Sequence, residues 1–195
     1  MVDLRVDFCS HEAAKYACEH WHYSKCVPSG KLIKVGAWED GNFIGVVLFS
    51  RGANNNIGKP YNLTQTQCCE LTRVALNKHI SPVTQIISFA ISFLKRINTG
   101  LKLVISYADT NQGHLGIIYQ AGNWLYCGLT DRQTEYWLKG RWVHSKTANS
   151  LVGSVKGLKS RKTLPKHKYL YPLDKKLARQ LQKIALPYPK KPAND

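Results

Sequence analysis

One segment near the middle of the chain constrains the fold more than any other feature. Its apolar residues follow a 3-4-3-4 spacing, which places on one helical face Val83, Ile86, Ala90, Phe93 and Ile97. Ser81 is expected to cap this helix, and Pro82 suits its first turn. Strand-like apolar runs lie on both sides, at 69–76 and 101–107. A long helix between two buried strands predicts a parallel strand pair joined by a crossover.

The other elements place this unit within a mixed α/β domain. Ser10 can cap a helix over 11–19, and an Asp-Gly turn at 40–41 joins two β-rich runs into a hairpin. After the central helix and strand come a short helix at 114–122 and a strand that begins at Trp124. This order of elements predicts a central sheet flanked by helices.

Positive charge is concentrated toward the end of the chain. Lys and Arg number 28 against 12 Asp and Glu, which gives a net charge of +16. Residues 139–195 carry 15 of these cations and two of the acids, and the rest of the chain has a net charge of only +3. We therefore divide the chain into a domain at 1–150 and a basic C-terminal segment at 151–195 that packs on it.

The basic segment predicts an acidic polymer as the partner of the chain. Trp142, Tyr169 and Tyr171 lie among the cations, and aromatic rings can stack on bases where cations contact phosphates. A solubilising tail is the alternative, but it would need no aromatic residues. We expect five cations to contact nucleic acid: Lys159, Arg161, Lys162, Lys166 and Lys168.

Composition argues against the membrane and secreted classes. No apolar run reaches the roughly 18 residues that a membrane span needs, and the first residues lack the pattern of a signal peptide. The six cysteines have no zinc-site spacing, so we interpret them as reduced thiols packed as small apolar residues. We expect a protein that acts in the cytoplasm and has no membrane partner.

Local sequence narrows the fold further. The segments 70–76 (ELTRVAL), 104–109 (VISYAD) and 116–124 (GIIYQAGNW) resemble the central half of a GNAT acetyltransferase. Together with WHYS at 21–24 and KHKYLY at 166–171, they resemble more specifically the Mom family of phage DNA-modification proteins. The resemblance covers most of the chain, and the run Tyr-Gln-Ala-x-Asn-Trp is not a general feature of GNAT enzymes.

The resemblance implies both a fold and a function. The fold would be a GNAT-like mixed central sheet flanked by helices, with a basic C-terminal extension. The function would be a transferase that adds a carbamoylmethyl group to the exocyclic amine of adenine in double-stranded DNA and so protects phage DNA from host restriction. The protein would be encoded by a phage or prophage and act in the host cytoplasm. The residues leave two alternatives open, a non-catalytic DNA-binding protein and an acetyl-CoA-dependent N-acetyltransferase of a small amine.

The donor stays open at this point. GNAT enzymes that use acetyl-CoA hold its pyrophosphate with a glycine-containing loop before the helix that follows the fourth strand. Here the loop 77–82 (NKHISP) has no glycine, and Pro82 removes one N–H donor. Acetyl-CoA is one possible acyl donor. Glycyl-tRNA is another, because a glycyl group contains the same atoms as a carbamoylmethyl group, and tRNA would then be a second partner.

Two residues are the main candidates for proton transfer. Asp109 follows a buried strand at its carboxyl end, where it could orient the adenine amine or accept a proton. Its alternative role is to cap the next turn. For Tyr119 the resemblance implies a general acid that protonates the leaving group, and the alternative is packing in the core.

Further candidates surround these two. His22 and Tyr23 follow the first helix and are expected in the substrate pocket, with catalytic roles, beside Ser24. Arg73 could hold a substrate phosphate or carbonyl, and its spacing of three from Glu70 predicts opposite strand faces. Substrate contacts are also expected from Ser106, Asn111 and Trp124.

Three residues have a further interpretation. Trp124 could form the aromatic floor for a flipped adenine, or it could pack in the core. His20 and His22 could ligate a metal, and the resemblance raises iron as a possibility, although their spacing is not diagnostic.

Overall fold

The computed structural model describes residues 2–52 and 56–190. In chain order its elements are β1 (Leu4–Phe8), α1 (His11–Trp21), β2 (Leu32–Glu39), β3 (Asn42–Ser50), β4 (Cys68–Leu76), α2 (Val83–Ile97), β5 (Leu103–Ala108), α3 (Ile117–Ala121), β6 (Leu125–Leu129), β7 (Thr134–Leu138), β8 (Arg141–His144), α4 (Ser145–Val152), β9 (Ser160–Lys162), β10 (His167–Pro172) and α5 (Lys175–Gln182). The predicted mixed α/β class is confirmed. None of the helices in the described ranges has the length and apolarity to cross a membrane.

Within the described residues, seven strands form the central sheet, in the order β1-β2-β3-β4-β5-β10-β6. Its neighbouring strands pair antiparallel, except for the parallel pair of β4 and β5. Helix α2 connects those two strands, so the predicted crossover is confirmed. The buried side of α2 includes Ile86, Ala90 and Leu94.

The two faces of the sheet are covered by different helices. Val47 and Phe49 of β3 share a core cluster with α2, whereas Val46 and Leu48 share another with α1. Because neighbouring residues of a strand point to opposite faces, α1 and α2 cover opposite sides of the sheet. All six cysteines are free thiols, and Cys26 is the exposed one.

The start of α2 differs from the prediction. Pro82, not Ser81, is the N-terminal cap, and among the described residues no side chain makes a capping hydrogen bond to the helix. The predicted cap at Ser81 is therefore wrong. A carboxylate from the end of β2 takes the place of the expected serine cap. Glu39 accepts hydrogen bonds from the backbone N–H groups of Ile80 at 2.8 Å and Ser81 at 2.7 Å.

A bulge in β4 changes the direction of its side chains. Leu48 pairs with Arg73 while Phe49 pairs with Leu71, so Thr72 is an extra residue in the strand. Its hydroxyl donates to the carbonyl of Leu48 at 3.0 Å. The bulge interrupts the alternation of faces, and Arg73 lines one cavity together with Glu70. The prediction that these two residues point to opposite faces is therefore wrong.

Beyond the bulge, β4 and β5 separate. Their parallel pairing joins 68–71 to 103–106 and ends there, at Leu71 and Ser106. The rest of β4 continues along β3, whereas the end of β5 continues along β10, with Ala108 opposite His167. The separation opens a cleft in the sheet at the carboxyl ends of two neighbouring strands, where ligands of α/β proteins usually bind.

Residues 130–166 leave the central sheet between β6 and β10. They contain β7, β8 and β9, which form a separate antiparallel sheet in the order β8-β7-β9, here called the accessory sheet. The chain then returns as β10 between β5 and β6, and Leu177 and Leu181 of α5 pack in the same apolar cluster as Leu170 of β10. The predicted basic segment thus contributes a strand to the interior of the central sheet.

At Gly45, β3 and β4 approach so closely that there is no room for a side chain. Its φ is +138°, and a Cβ there would lie 2.0 Å from the carbonyl oxygen of Ala75. We expect Gly45→Ala to lower the free energy of unfolding by about 3 kcal/mol in urea titrations. Gly41→Ala in the β2–β3 turn is the control and should cost about 1 kcal/mol, because φ there is also positive but no atom of a described residue lies within 4 Å of the added Cβ. Equal losses would contradict the steric explanation.

Candidate active site

The separation of β4 and β5 opens a cavity of about 530 Å³, here called the β4–β5 cavity. Residues from the end of α1, from both strands and from the start of α3 line it. Five residues predicted from the sequence meet there, although they come from four parts of the chain: His22, Tyr23, Arg73, Asp109 and Tyr119.

Tyr119 lies at the point where the two strands part. The Oγ of Ser106 lies 2.7 Å from the hydroxyl of Tyr119 and 2.8 Å from the carbonyl oxygen of Leu71. Ser106 has a single proton for these two oxygens, and when it donates to Tyr119 the proton of Tyr119 stays free for a ligand. Burial raises the pKa of Tyr119 to about 12 even though the bond with Ser106 lowers it. Tyr119 therefore keeps its proton at neutral pH, as a general acid must.

The ring of Tyr119 is also a core residue. It is 7% exposed and packs at 5.0 Å from Trp124 and 5.2 Å from Tyr169. Tyr119 therefore packs in the core, as the alternative interpretation expected. Its hydroxyl lies beside Ser106, where β4 and β5 separate. Ser106, predicted to contact substrate, is fully buried and holds the Tyr119 hydroxyl in place.

Asp109 caps a short turn and also lines the β4–β5 cavity, so its position is compatible with both roles considered from the sequence. Its Oδ1 accepts the backbone N–H of Asn111 at 3.0 Å and the Nδ2 of Asn111 at 3.1 Å, so it caps the short turn Thr110–Gln112. Both bonds fall on Oδ1, and within the described part of the chain Oδ2 has no such donor. Asn111 is exposed and contacts Asp109 rather than lining the cavity. One oxygen of Asp109 is fixed, and the other can face a ligand.

His22 is a neutral donor. Burial, followed by the positive charges around it, Arg73 first, lowers the pKa of His22 to about 4. The backbone N–H of Ser24 donates to Nδ1 at 3.1 Å, and the Ser24 hydroxyl lies 2.8 Å from the same nitrogen. Because Nδ1 accepts a hydrogen bond, the single proton of the neutral ring is assigned to Nε2. Ser24 thus acts on the site through His22.

Tyr23 and His114 form the aromatic rim of the cavity. The Tyr23 ring lies 4.2 Å from the His22 ring and meets the ring of His114 edge-on at 5.3 Å. Burial and the charge of Asp109 raise the pKa of the Tyr23 hydroxyl. Sequence reasoning missed His114 as a site residue. A single histidine gives no pattern, and the only signal was its position between Asp109 and Tyr119.

Arg73 has a donor that the protein does not use. Its Nη1 donates to the carbonyl of Thr72 at 2.8 Å, but its Nε is buried and has no hydrogen-bond partner among the described residues. A buried N–H without an acceptor costs free energy, and a ligand oxygen would remove that cost. This observation fits the predicted role of Arg73 in binding a phosphate or carbonyl.

Trp124 does not line the β4–β5 cavity. Its ring is 1% exposed and packs against Tyr119 and Tyr171. It forms part of the wall of a smaller cavity of about 270 Å³ between α2 and α3. The indole is buried there because α2 and α3 bring apolar side chains around it. Trp124 is therefore a core residue, as the alternative interpretation expected, and does not form a floor for a base in the β4–β5 cavity.

The histidines proposed as metal ligands do not form a metal site. The Nδ1 of His20 lies 2.9 Å from the carbonyl of Tyr16, and the two rings stack at 4.1 Å. His22 uses its Nδ1 for Ser24. Across residues 2–52 and 56–190, no three His, Cys, Asp or Glu side chains are grouped to hold a metal ion. The residues present therefore do not fit an iron centre.

The five predicted nucleic-acid contacts lie on and beside the accessory sheet and on β10. Arg161 pairs with Glu135 at 2.8 Å and covers the Trp142 ring at 4.5 Å, and Lys162 donates to Thr134 at 2.8 Å. Lys159 and Lys166 are exposed in the connecting loops. Lys168 on β10 lies 5.9 Å from the centre of the Tyr61 ring. Their contact with nucleic acid stays a prediction.

Comparison with known proteins gives one family and one fold. A model of the Mom protein family matches residues 3–190. The methylcarbamoylase Mom of Escherichia phage Mu is 26% identical over 204 residues, which cover 96% of this chain and 84% of the phage protein. A spermidine N-acetyltransferase variant of Vibrio cholerae superposes with a TM-score of 0.53 at 10% identity, over 91% of this chain and 98% of that one. An aminoglycoside N-acetyltransferase gives 0.51 at 8% identity, over 88% and 97%.

The two acetyltransferase structures, at 10% and 8% identity, show the fold alone. They confirm the predicted GNAT-like architecture. The resemblance to GNAT enzymes implies that coenzyme A would place its pyrophosphate at the start of α2. Here the carboxylate of Glu39, itself 5% exposed, already takes the N–H groups of Ile80 and Ser81, and Pro82 has none. A second anion at that position would face the Glu39 charge. The start of α2 therefore does not fit the pyrophosphate of coenzyme A.

Removing the Glu39 carboxylate should destabilise the fold. Glu39→Ala leaves two N–H groups without their acceptor and should lower the free energy of unfolding by about 2–4 kcal/mol at neutral pH. Glu39→Gln keeps one acceptor oxygen and should lose about half of that. Glu19→Ala, which removes an exposed partner of Lys15, is the control and should change stability by less than about 0.5 kcal/mol.

Acid should remove the difference in free energy of unfolding between wild type and Glu39→Gln. Burial alone would raise the pKa of Glu39, but the hydrogen bonds from Ile80 and Ser81 leave it below its ordinary value. A lowered carboxyl pKa stabilises the folded state above the unfolded pKa, and this stability is lost as pH falls through the folded pKa. Urea titrations that give the same difference at neutral pH and near pH 3 would contradict this role.

Proposed function

Because the chain belongs to the Mom protein family and is a transferase, we propose that it modifies adenine in double-stranded DNA by adding a carbamoylmethyl group to the exocyclic amine. The observation that carries the proposal is the convergence of five predicted residues on the β4–β5 cavity. The methylcarbamoylase name of the phage Mu relative supports the identity of the transferred group. The acetyltransferase fold supports acyl transfer as the first chemical step.

In this proposal the target adenine leaves the helix and enters the β4–β5 cavity. An enzyme that reacts with an exocyclic amine must reach an atom that is paired inside the duplex, so the base has to be extruded. The rings of His22, Tyr23 and His114 offer aromatic surface to the base. The neutral His22 can donate to a ring nitrogen from Nε2, and the free oxygen of Asp109 can accept a hydrogen from the amine.

Proton transfer is divided between two residues. As the adenine amine attacks the acyl carbon, Asp109 accepts its proton. Tyr119, which stays protonated at neutral pH, gives its proton to the departing oxygen of the donor. Ser106 then holds the Tyr119 hydroxyl in line with the cleft.

For the donor we propose a glycyl ester carried by tRNA. The shared fold makes an acyl donor the expected co-substrate, and acetyl-CoA is the donor that the fold family implies. The carboxylate of Glu39 at the start of α2 disfavours a pyrophosphate there. An aminoacyl ester needs no such site, and the net charge of +16 suits two nucleic acids.

A glycyl group would give the carbamoylmethyl product by rearrangement. The amine attacks the ester carbonyl, an amide bond to the adenine nitrogen forms, and the tRNA hydroxyl leaves. The free glycyl amine then attacks the adjacent ring carbon and closes a five-membered spiro ring. The original carbon–nitrogen bond breaks, and one proton moves from the new nitrogen to the old one. The product has the same atoms and contains a CH₂ on the ring-bound nitrogen and a terminal carboxamide.

The biological setting follows from the family. We propose that the protein is encoded by a phage or prophage and acts in the cytoplasm of the host, where the modified adenine blocks recognition by restriction nucleases. No step of the proposal uses iron, because the described residues offer no site for it.

Nucleoside masses test this function directly. Plasmid DNA from cells that express the chain should yield, after digestion, deoxyadenosine heavier by one carbamoylmethyl group. Unmodified deoxyadenosine combined with tight DNA binding would overturn the proposal and favour a non-catalytic DNA-binding protein. Unmodified DNA combined with thermal stabilisation by acetyl-CoA would favour an N-acetyltransferase of a small amine.

The two proton-transfer residues should affect chemistry and not binding. Asp109→Asn and Tyr119→Phe should each lower the modification rate at least about a hundredfold, because each removes one proton-transfer group. DNA affinity should stay within about twofold, since neither residue lies on the basic segment. Asp131→Asn and Tyr188→Phe, which lie outside the cavity, are the matched controls. A parallel loss of rate and affinity in both site variants would contradict the assigned roles.

The exposed lysines should set the salt dependence of DNA binding. Each phosphate contact contributes about 0.9 to the slope of log affinity against log salt. Replacing Lys159, Lys162 and Lys166 by alanine should therefore reduce the slope by about 0.9 for each residue that contacts a phosphate. Lys15→Ala on α1 is the control and should leave the slope unchanged. An unchanged slope in the triple variant would show that this segment does not touch the DNA backbone.

A further inference from the structure

A second cavity adjoins the β4–β5 cavity. It encloses about 640 Å³ between the loop at 26–29, the end of β3, the middle of β4, and the accessory sheet with α4. Thr72 and Arg73 line both cavities, so the β4 bulge forms the boundary between them. Nothing in the proposed reaction uses this second cavity.

The wall of the second cavity combines an indole ring with cations. Trp142 of β8 lines it, and the guanidinium of Arg161 lies 4.5 Å from the centre of that ring. Arg141 lines it from the same strand, and Glu70 of β4 lines it as well. An aromatic ring among cations is the usual surface for an unpaired base and its phosphate.

Arg73 lies where it can contact ligands in both cavities. Its buried Nε has no acceptor within the described residues, although its side chain lies at the boundary. A phosphodiester oxygen is a strong acceptor for such a guanidinium. Successive nucleotides of one strand are joined by a phosphate, so a base extruded into one cavity brings the phosphate of its neighbour to Arg73.

We propose that the second cavity binds the nucleotide next to the target adenine on the same strand, with its base against Trp142 and the connecting phosphate on Arg73. This inference rests on the function proposed above and extends it. Trp142 would then be a specificity-determining residue, because the neighbouring base, and not only the adenine, contacts the protein. The accessory sheet would read the sequence context of the modified adenine.

A base deletion tests the contact. The probe is a fluorescein-labelled single-stranded DNA of about 12 nucleotides with one central adenine, within the range of single-strand site sizes. Two further probes carry an abasic site on the 5′ side or the 3′ side of that adenine. Wild type should bind one of the abasic probes about tenfold more weakly than the parent, because one base loses its stacking surface.

Variants of the cavity should remove this penalty. Trp142→Leu deletes the ring, and Thr147→Phe fills the cavity from an exposed position on α4 while keeping Trp142. Each should bind all three probes within about twofold of one another, because there is no base contact left to lose. Trp137→Ala is the matched control. Its ring packs on Trp142 at 5.3 Å but is absent from the described lining of the second cavity, so the variant should keep the wild-type penalty.

The possible results separate the two proposals. Equal binding of all three probes by wild type would overturn the inference, and so would an undiminished penalty in Thr147→Phe. If Trp142→Leu unfolds, Thr147→Phe alone decides. A failure of the proposed function has a different signature, unmodified deoxyadenosine in DNA from cells that express wild type. The abasic probes measure binding whether or not the adenine is modified.

Discussion

The separation of β4 from β5 is the constraint on which the rest of the site depends. Two parallel strands pair over 68–71 and 103–106 and then follow different neighbours, because the bulge at Thr72 changes the direction of β4. Three consequences follow from this geometry. A cavity opens inside the sheet, the hydroxyl of Tyr119 contacts Ser106 at the point of separation, and Arg73 lies at the boundary between two cavities.

The charges of the site suit the proton transfer proposed for it. Tyr119 keeps its proton and His22 stays neutral, whereas Asp109 fixes one oxygen and leaves the other for a ligand. The abundant cations lie on the outside, on and around the accessory sheet and β10. At the start of α2, an internal carboxylate occupies the groups that would otherwise attract a pyrophosphate. The fold of an acyltransferase is thus kept while one of its usual anion sites is closed.

Sequence reasoning succeeded where a local pattern determines the structure. The apolar spacing of α2 between two buried strands was sufficient for the parallel pair, and the family motifs located residues that meet only in the folded chain. It failed where a distant residue decides: Glu39 caps Ile80 from 41 positions away, and no local signal marks this contact. Thr72 resembles any strand residue, so the bulge was hidden. The short strands β1 and β9 carry too few residues for a clear period.

The most direct test of acyl transfer to adenine follows the nitrogen atom itself. DNA that carries heavy nitrogen at the exocyclic position of adenine is allowed to react, the carboxamide of the product is hydrolysed, and the ammonia and the purine are weighed separately. Acyl transfer followed by rearrangement predicts that the label leaves as ammonia, because the original nitrogen becomes the terminal carboxamide. A label that stays on the purine would contradict acyl transfer and indicate direct alkylation of the amine.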